Sequence, residues 1–144
     1  MTIATENVQA RNTLNLTASR RAVLDILKSA GRPMKAYDIL SKLQEVIKHA
    51  KPPTVYRALD YLVSNHVLHR VNNQNAFMYC QQHVECSQQQ EKRVSILFSC
   101  QLCGAVIENA NHSLTAVIRQ MTSSLGFKSD ADMVECSGVC QNCQ

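Results

Sequence analysis

Apolar residues recur along the first half of this chain at helical spacing. Val23, Ile26, Leu27 and Ala30 fall at i, i+3, i+4 and i+7, which predicts an amphipathic helix. Thr17 or Ser19 offers a hydroxyl to cap its start, and Gly31 suits a left-handed stop. Pro33 breaks the chain before a second helix, whose apolar face is Ile39, Leu40, Leu43, Val46 and Ile47. A third opens at Pro52-Pro53, because first-turn N–H groups have no partner within a helix and proline is tolerated there. Val55, Ala58, Leu59 and Leu62 form its buried stripe, Arg57 and Asp60 point the other way, and Tyr56 lies on the flank. The period then shortens. Val67–Val71 and Phe77–Cys80 read as strands joined by the turn-rich Asn72-Asn73-Gln74-Asn75. Three helices and a small hairpin outline a winged helix-turn-helix.

The second half has a different texture. Gln81–Lys92 is polar and contains Gln88-Gln89-Gln90, so it reads as a loop. Ser95–Ser99 and Ala105–Glu108 read as strands flanking a Cys-x-x-Cys. Leu114, Val117, Ile118, Met121 and Leu125 sit at helical spacing before Gly126, and Met133–Cys136 reads as a last strand. The expected class is therefore α+β. A winged helix over residues 1–80 is joined by a linker at 81–93 to a small α/β unit at 94–144.

Composition narrows the functional classes. The chain has 144 residues, 45% hydrophobic, enough for ordinary globular cores. No run approaches the roughly 18–20 apolar residues of a membrane span. Met1 to Arg11 is polar, so no secretory signal is expected. Seven cysteines, four of them in Cys-x-x-Cys pairs, then point to reduced thiols and metal binding in the cytoplasm. The net charge of +4 is uneven. Residues 1–70 hold 11 Lys/Arg against 5 Asp/Glu, whereas residues 71–144 hold 4 against 6. A basic first half suits a polyanion, and the mildly acidic second half suits another task.

Cys100/Cys103 and Cys140/Cys143 are the strongest chemical signal. Each pair sets two thiolates on one side of a tight turn, and two such turns complete an S₄ cage for zinc. The intervening strand, helix and strand mean that such a zinc ties the last turn to the first hairpin. In a unit this small, a structural zinc supplies on the order of 10 kcal/mol of folding free energy. Unligated cysteines or a redox dithiol are the plainer alternatives. A hydrolase or deaminase needs an open coordination position, as in His-x-Glu paired with Pro-Cys-x-x-Cys, and the chain has no such pairing. No enzyme is expected.

The helix from Pro52 is the second signal. Its outer face carries Thr54, Tyr56 and Arg57, with Lys51 just before it. Arginine donates two hydrogen bonds to guanine O6 and N7 in the major groove, while Tyr, Thr and Lys suit phosphates or thymine methyl groups. An ordinary solvated helix face is the competing reading.

Three stretches together resemble a known family: Ala36-Tyr37-Asp38-Ile39-Leu40, Lys51-Pro52-Pro53-Thr54-Val55-Tyr56-Arg57-Ala58-Leu59-Asp60, and Cys100-Gln101-Leu102-Cys103-Gly104. They are similar to the ferric uptake regulator superfamily, and within it to the zinc uptake regulator branch. The resemblance runs from about Thr17 to Cys143. It implies a homodimeric repressor whose metal occupancy controls its affinity for double-stranded operator DNA, with residues 94–144 as the zinc-stabilised dimerisation domain. It adds Tyr37 to Lys51, Thr54, Tyr56 and Arg57 as DNA contacts. It also implies a regulatory zinc site at the hinge between domains, with His69, Cys80 and Glu108 as ligands. A His/Cys/Glu set suits zinc better than magnesium or calcium.

The family usually places histidine within seven residues before the first Cys-x-x-Cys. Here that stretch is Arg93-Val94-Ser95-Ile96-Leu97-Phe98-Ser99. The preceding loop holds His83 and Cys86, either of which is a candidate fourth ligand. Cys136 stands where the related branch commonly has histidine; burial and an accessory site are the two readings for it. His49, His66 and His112 read as surface or capping residues. The function that follows is repression of zinc-uptake genes from palindromic operators, with an iron- or peroxide-responsive regulator of the same superfamily as the alternative. A zinc-ribbon interaction module without a DNA role is the rival from another class.

Overall fold

The computed structural model of the protein describes residues 14–81, 94–128 and 133–144. The first helix, α1 (Ala18–Ala30), starts where the Thr17 hydroxyl accepts the Arg20 N–H and stops at Gly31, whose φ is +60°. Ser19, the other candidate cap, lies inside the helix. α1 buries Val23, Leu24 and Leu27. α2 (Ala36–Val46) adds Ile39 and Leu43, and α3 (Pro52–Ser64) adds Val55, Ala58, Leu59 and Leu62. These residues share one core with Val67, Leu68 and Phe77. Val46 departs from its expected burial: it is the last residue of α2 and 71% exposed, so the apolar stripe outlasts the core it packs on.

The hairpin that follows is β1 (Leu68–Val71) and β2 (Ala76–Tyr79), antiparallel, with Leu68 opposite Tyr79. A short 3₁₀ turn, Asn72–Gln74, joins them, and Asn75 closes it at a φ of +48°. Asparagine tolerates that left-handed conformation better than most residues. Met34 and Phe77 exchange backbone hydrogen bonds at 2.8 Å each, tying the hairpin to the segment before α2. This is a winged-helix arrangement.

Beyond it, β3 (Ser95–Cys100) is the centre of a three-stranded sheet in the order β4-β3-β5. β4 (Val106–Ala110) runs antiparallel to β3, and β5 (Met133–Gly138) runs parallel to it. Between them lies α4 (His112–Ser124), capped by the Asn111 side chain accepting the Ser113 and Leu114 N–H groups. Strand alternation gives the sheet two unlike faces. One carries Leu97, which meets Val71 and Met78 of the hairpin with Val106 and Met133 beside them. The other presents Phe98, Ile107 and Val134 to solvent, and Val117 and Met121 of α4 are also exposed. Among the described residues, no helix is long and apolar enough to cross a membrane.

Candidate metal centres and nucleic-acid interface

The four paired cysteines converge because β3 and β5 are parallel neighbours, with Cys100 opposite Gly138. Both strands therefore end at the same edge, and each leads into a cysteine turn. The Gln101 N–H donates to the Gly138 carbonyl at 2.9 Å, fastening the two turns together. Gly104, at a φ of +72°, lets the first turn fold back so that its N–H reaches the Cys100 carbonyl. The four Sγ atoms all lie within 4.8 Å of one another, and Cys103 and Cys140 are 3.6 Å apart. A tetrahedron with bonds of about 2.3 Å has sulfur–sulfur edges of about 3.8 Å. The donor set and its spacing fit zinc.

The electrostatics also favour a cation. Backbone N–H groups, that of Cys103 foremost and then those of Cys140 and Leu102, hold the Cys100 thiol down to about 6. Cys143 is pushed up to about 12, first by hydrogen bonding with Cys140 and then with Cys103. One thiolate is thus stabilised by the fold, and the last is opposed by its neighbours. A bound divalent ion removes that conflict.

The second cluster draws on both halves of the chain. His69 sits on β1, Cys80 follows β2 and Glu108 sits on β4, and their ligand atoms all lie within 4.8 Å of one another. Glu108 is the keystone. Its Oε1 is 2.7 Å from His69 Nε2, and it accepts from Cys80 Sγ at 3.4 Å and from Ser95 Oγ at 3.3 Å. Its Oε2 accepts the Gln81 N–H at 3.0 Å. Burial pushes the carboxyl up, but the hydrogen bond and charge of His69 outweigh it, aided by Gln81 and Cys80. The net result is a carboxyl held below its usual value. The soft thiolate, imidazole and carboxylate again make a donor set that fits zinc. His83, Cys86 and Arg93 lie outside the described residues.

Sequence reasoning did not foresee the supports of this carboxylate. Ser95 and the Gln81 backbone carry no ligand signal, and only the pairing of β3 with β4 brings Ser95 beside Glu108. Of the two readings for Cys136, burial within the chain does not hold: it is exposed there, on the apolar side of the sheet in register with Phe98. The cause is parity. Glu135 points toward the hairpin, and its neighbour must point away.

The helix expected to read DNA presents its residues as the helical period demands. Lys51, Tyr56 and Arg57 are exposed, while Val55, Ala58 and Leu59 are buried. Thr54 is half-buried, more withdrawn than its place on the outer face suggested. Tyr37, in the first turn of α2, is 77% exposed. A large aromatic left in water at that level fits a contact surface better than a core.

Known proteins match most of this chain. The sequence pattern of the ferric uptake regulator family covers residues 11–136. The zinc uptake regulation protein of Escherichia coli (strain K12) is 33% identical over 138 residues, spanning 96% of this chain and 78% of that protein. The chain belongs to the ferric uptake regulator family. Its fold is similar to that of a zinc uptake regulator complexed with zinc and DNA. The TM-score is 0.81 and the identity 32%, over 93% of this chain and 86% of that one. It also resembles holo XcZur, with a TM-score of 0.75 and 32% identity over 89% and 85% of the respective chains.

Proposed function

We propose that this family member is a zinc-responsive transcriptional repressor that binds palindromic operators of zinc-uptake genes when zinc-loaded. The observation that carries the reading is the convergence of His69, Cys80 and Glu108 at the junction of the hairpin and the second sheet. Its support is the similarity to a zinc uptake regulator bound to zinc and DNA.

In this reading the chain divides into a DNA-binding domain at 1–80, a linker at 81–93 and a dimerisation domain at 94–144. Cys100, Cys103, Cys140 and Cys143 hold the structural zinc. His69, Cys80 and Glu108 hold the regulatory zinc, completed by His83 or Cys86 from the linker. Bound there, the ion supplies coordinate bonds to both domains at once. His69 moves with the wing and Glu108 with the sheet, so holding them together sets the angle between domains. In a homodimer that angle sets the separation of the two α3 helices, which must reach successive major grooves about one helical turn apart. Arg57 then reads a base edge, and Tyr37, Lys51, Thr54 and Tyr56 contact bases or backbone. By linkage, operator DNA tightens zinc binding by the same factor. The exposed faces of α4 and of the sheet supply the apolar area for dimerisation. The protein works as a cytoplasmic regulator rather than as an enzyme. The Cys80 thiolate favours zinc over the iron of a ferric or peroxide sensor.

The test is metal content measured alongside binding to a palindromic promoter duplex. Wild type should carry two zinc ions per protomer, one for each cluster, and bind the duplex only when both are filled. Cys80→Ser should stay a folded dimer with one ion and lose zinc-dependent binding. Equal operator affinity with the second site empty and filled overturns the reading.

A further inference from the structure

A second connection between the two halves lies away from the His69, Cys80 and Glu108 cluster and beside the first cysteine turn. The wing turn Asn72–Gln74 directs its polar groups at the sheet. Glu135 on β5 accepts the backbone N–H of Asn72 at 2.6 Å and that of Asn73 at 3.1 Å. The Asn73 side-chain amide donates to the Ser137 hydroxyl at 3.0 Å. The Gln74 amide donates both to Ser99 Oγ at 2.8 Å and to the Gly104 carbonyl at 3.1 Å. All three residues of one turn are thus engaged by partners from the other half of the chain. Two of those partners, Ser99 and Gly104, flank the first cysteine turn.

We infer that Glu135 and Gln74 are positioning residues, forming a latch that needs no ion in the His69, Cys80 and Glu108 site and that holds the wing against the sheet, so favouring the DNA-competent angle between domains. The inference rests on the proposed function for its consequence at DNA, though not for the latch itself.

Three physical points carry it. First, the contact is polar and largely exposed, so water replaces each hydrogen bond when the latch opens. Such a contact can break and reform, unlike a packed core. Second, the apolar contact of Val71 and Met78 with Leu97 belongs to the same junction. The hinge is therefore held by the metal ligands, an apolar plug and the latch together, and the ion need supply only part of the bias. Third, the overall arrangement in which these contacts form is similar, at a TM-score of 0.81 over 93% of this chain, to that of the zinc- and DNA-bound relative. A latch formed in that state shifts the equilibrium toward it before zinc arrives. It also connects the wing to the cysteine turn, because Gln74 donates to the Gly104 carbonyl at the end of that turn.

The experiment compares wild type, Glu135→Ala and Gln74→Ala in the full-length dimer. One measurement is the distance distribution between a spin label on α3 and one on α4, with and without zinc in the regulatory site. The other is the free zinc concentration at half-maximal binding to a palindromic duplex. Both variants should keep the structural zinc and the dimer mass. Each should broaden the distance distribution, most in protein lacking regulatory zinc, and raise the zinc midpoint roughly fivefold or more, a typical allosteric coupling. Glu135→Gln, which keeps one acceptor oxygen, should fall between wild type and Glu135→Ala. A purely structural role for Glu135 predicts loss of the dimer or of the structural zinc with an unchanged midpoint in the surviving dimer, which overturns the inference. So does a distance distribution identical to wild type in both variants. If wild type shows no zinc-dependent binding at all, the functional reading falls while the distance measurement still decides the latch.

Discussion

Replacing Glu108 with glutamine tests the hinge site most directly. The substitution keeps the shape of the side chain and removes its charge and one acceptor. In the structure the two carboxylate oxygens take donors from opposite sides: His69, Cys80 and Ser95 at Oε1, and the Gln81 N–H at Oε2. A glutamine amide turned either way sets its NH₂ against at least one of these donors. An unmade hydrogen bond of this kind costs about 1–3 kcal/mol, so the metal-free protein should lose stability of that order. The effect on zinc should be larger. Losing a partner one bond removed from a metal costs about 10–100-fold in affinity, and in the proposed site Glu108 is an anionic ligand itself. Glu108→Gln should therefore weaken regulatory zinc binding by more than about 100-fold and abolish zinc-dependent operator binding, with the zinc of the cysteine cage retained. The assay is competitive zinc titration against a chelating dye, paired with fluorescence anisotropy on a palindromic duplex. A variant that titrates like wild type, or one that loses both zinc ions together, refutes the assignment of Glu108 to a separate hinge site.

The other predictions concern the remaining parts. Arg57→Ala should cost about 1–3 kcal/mol of operator binding and relax base preference at one position per half-site, and an unchanged footprint counts against major-groove reading. Cys103→Ser should impair folding, since it removes one corner of the cage that fastens β3 to β5; circular dichroism and zinc release during unfolding report this. Stability should also depend on pH through Glu108 in protein lacking regulatory zinc. Its carboxyl is lowered in the folded state, so the stabilisation is fully present above the unfolded value of about 4.3. It is lost as pH falls through the lower folded value. The stabilities of wild type and Glu108→Gln from urea unfolding should converge as pH falls through that window, and parallel curves contradict the account.

Much of the architecture was legible because it is local. The stripe of Val55, Ala58, Leu59 and Leu62 follows from helical geometry, and it automatically turns Tyr56 and Arg57 outward. Thr17 and Gly31 mark the ends of α1 by chemistry that acts within a few residues. The limits of the hairpin strands moved by a residue, because Val67 bonds to Leu62 and Cys80 in the approach to the wing rather than in the ladder. The fate of Val46 was not legible, since periodicity describes a face but not how far the partner core extends. The cysteine spacing announced a metal cage, yet the parallel pairing of β3 with β5 that closes it had no local signature.

Taken alone, the order of residues determined the helices, the strands, the outward side of α3, the cysteine pairs and the family resemblance. Each depends on neighbours a few positions apart or on a short contiguous motif. Tertiary structure alone decided that Glu108 stands between His69 and Cys80, that Glu135 seizes a wing turn 62 and 63 residues away, and that Cys136 stands beside Phe98 on the apolar face of the sheet. Those outcomes turn on strand order and on the parity of side chains across a sheet. A shift of one residue in pairing reverses which face each side chain occupies, so the hinge chemistry exists only once the register has been set by packing.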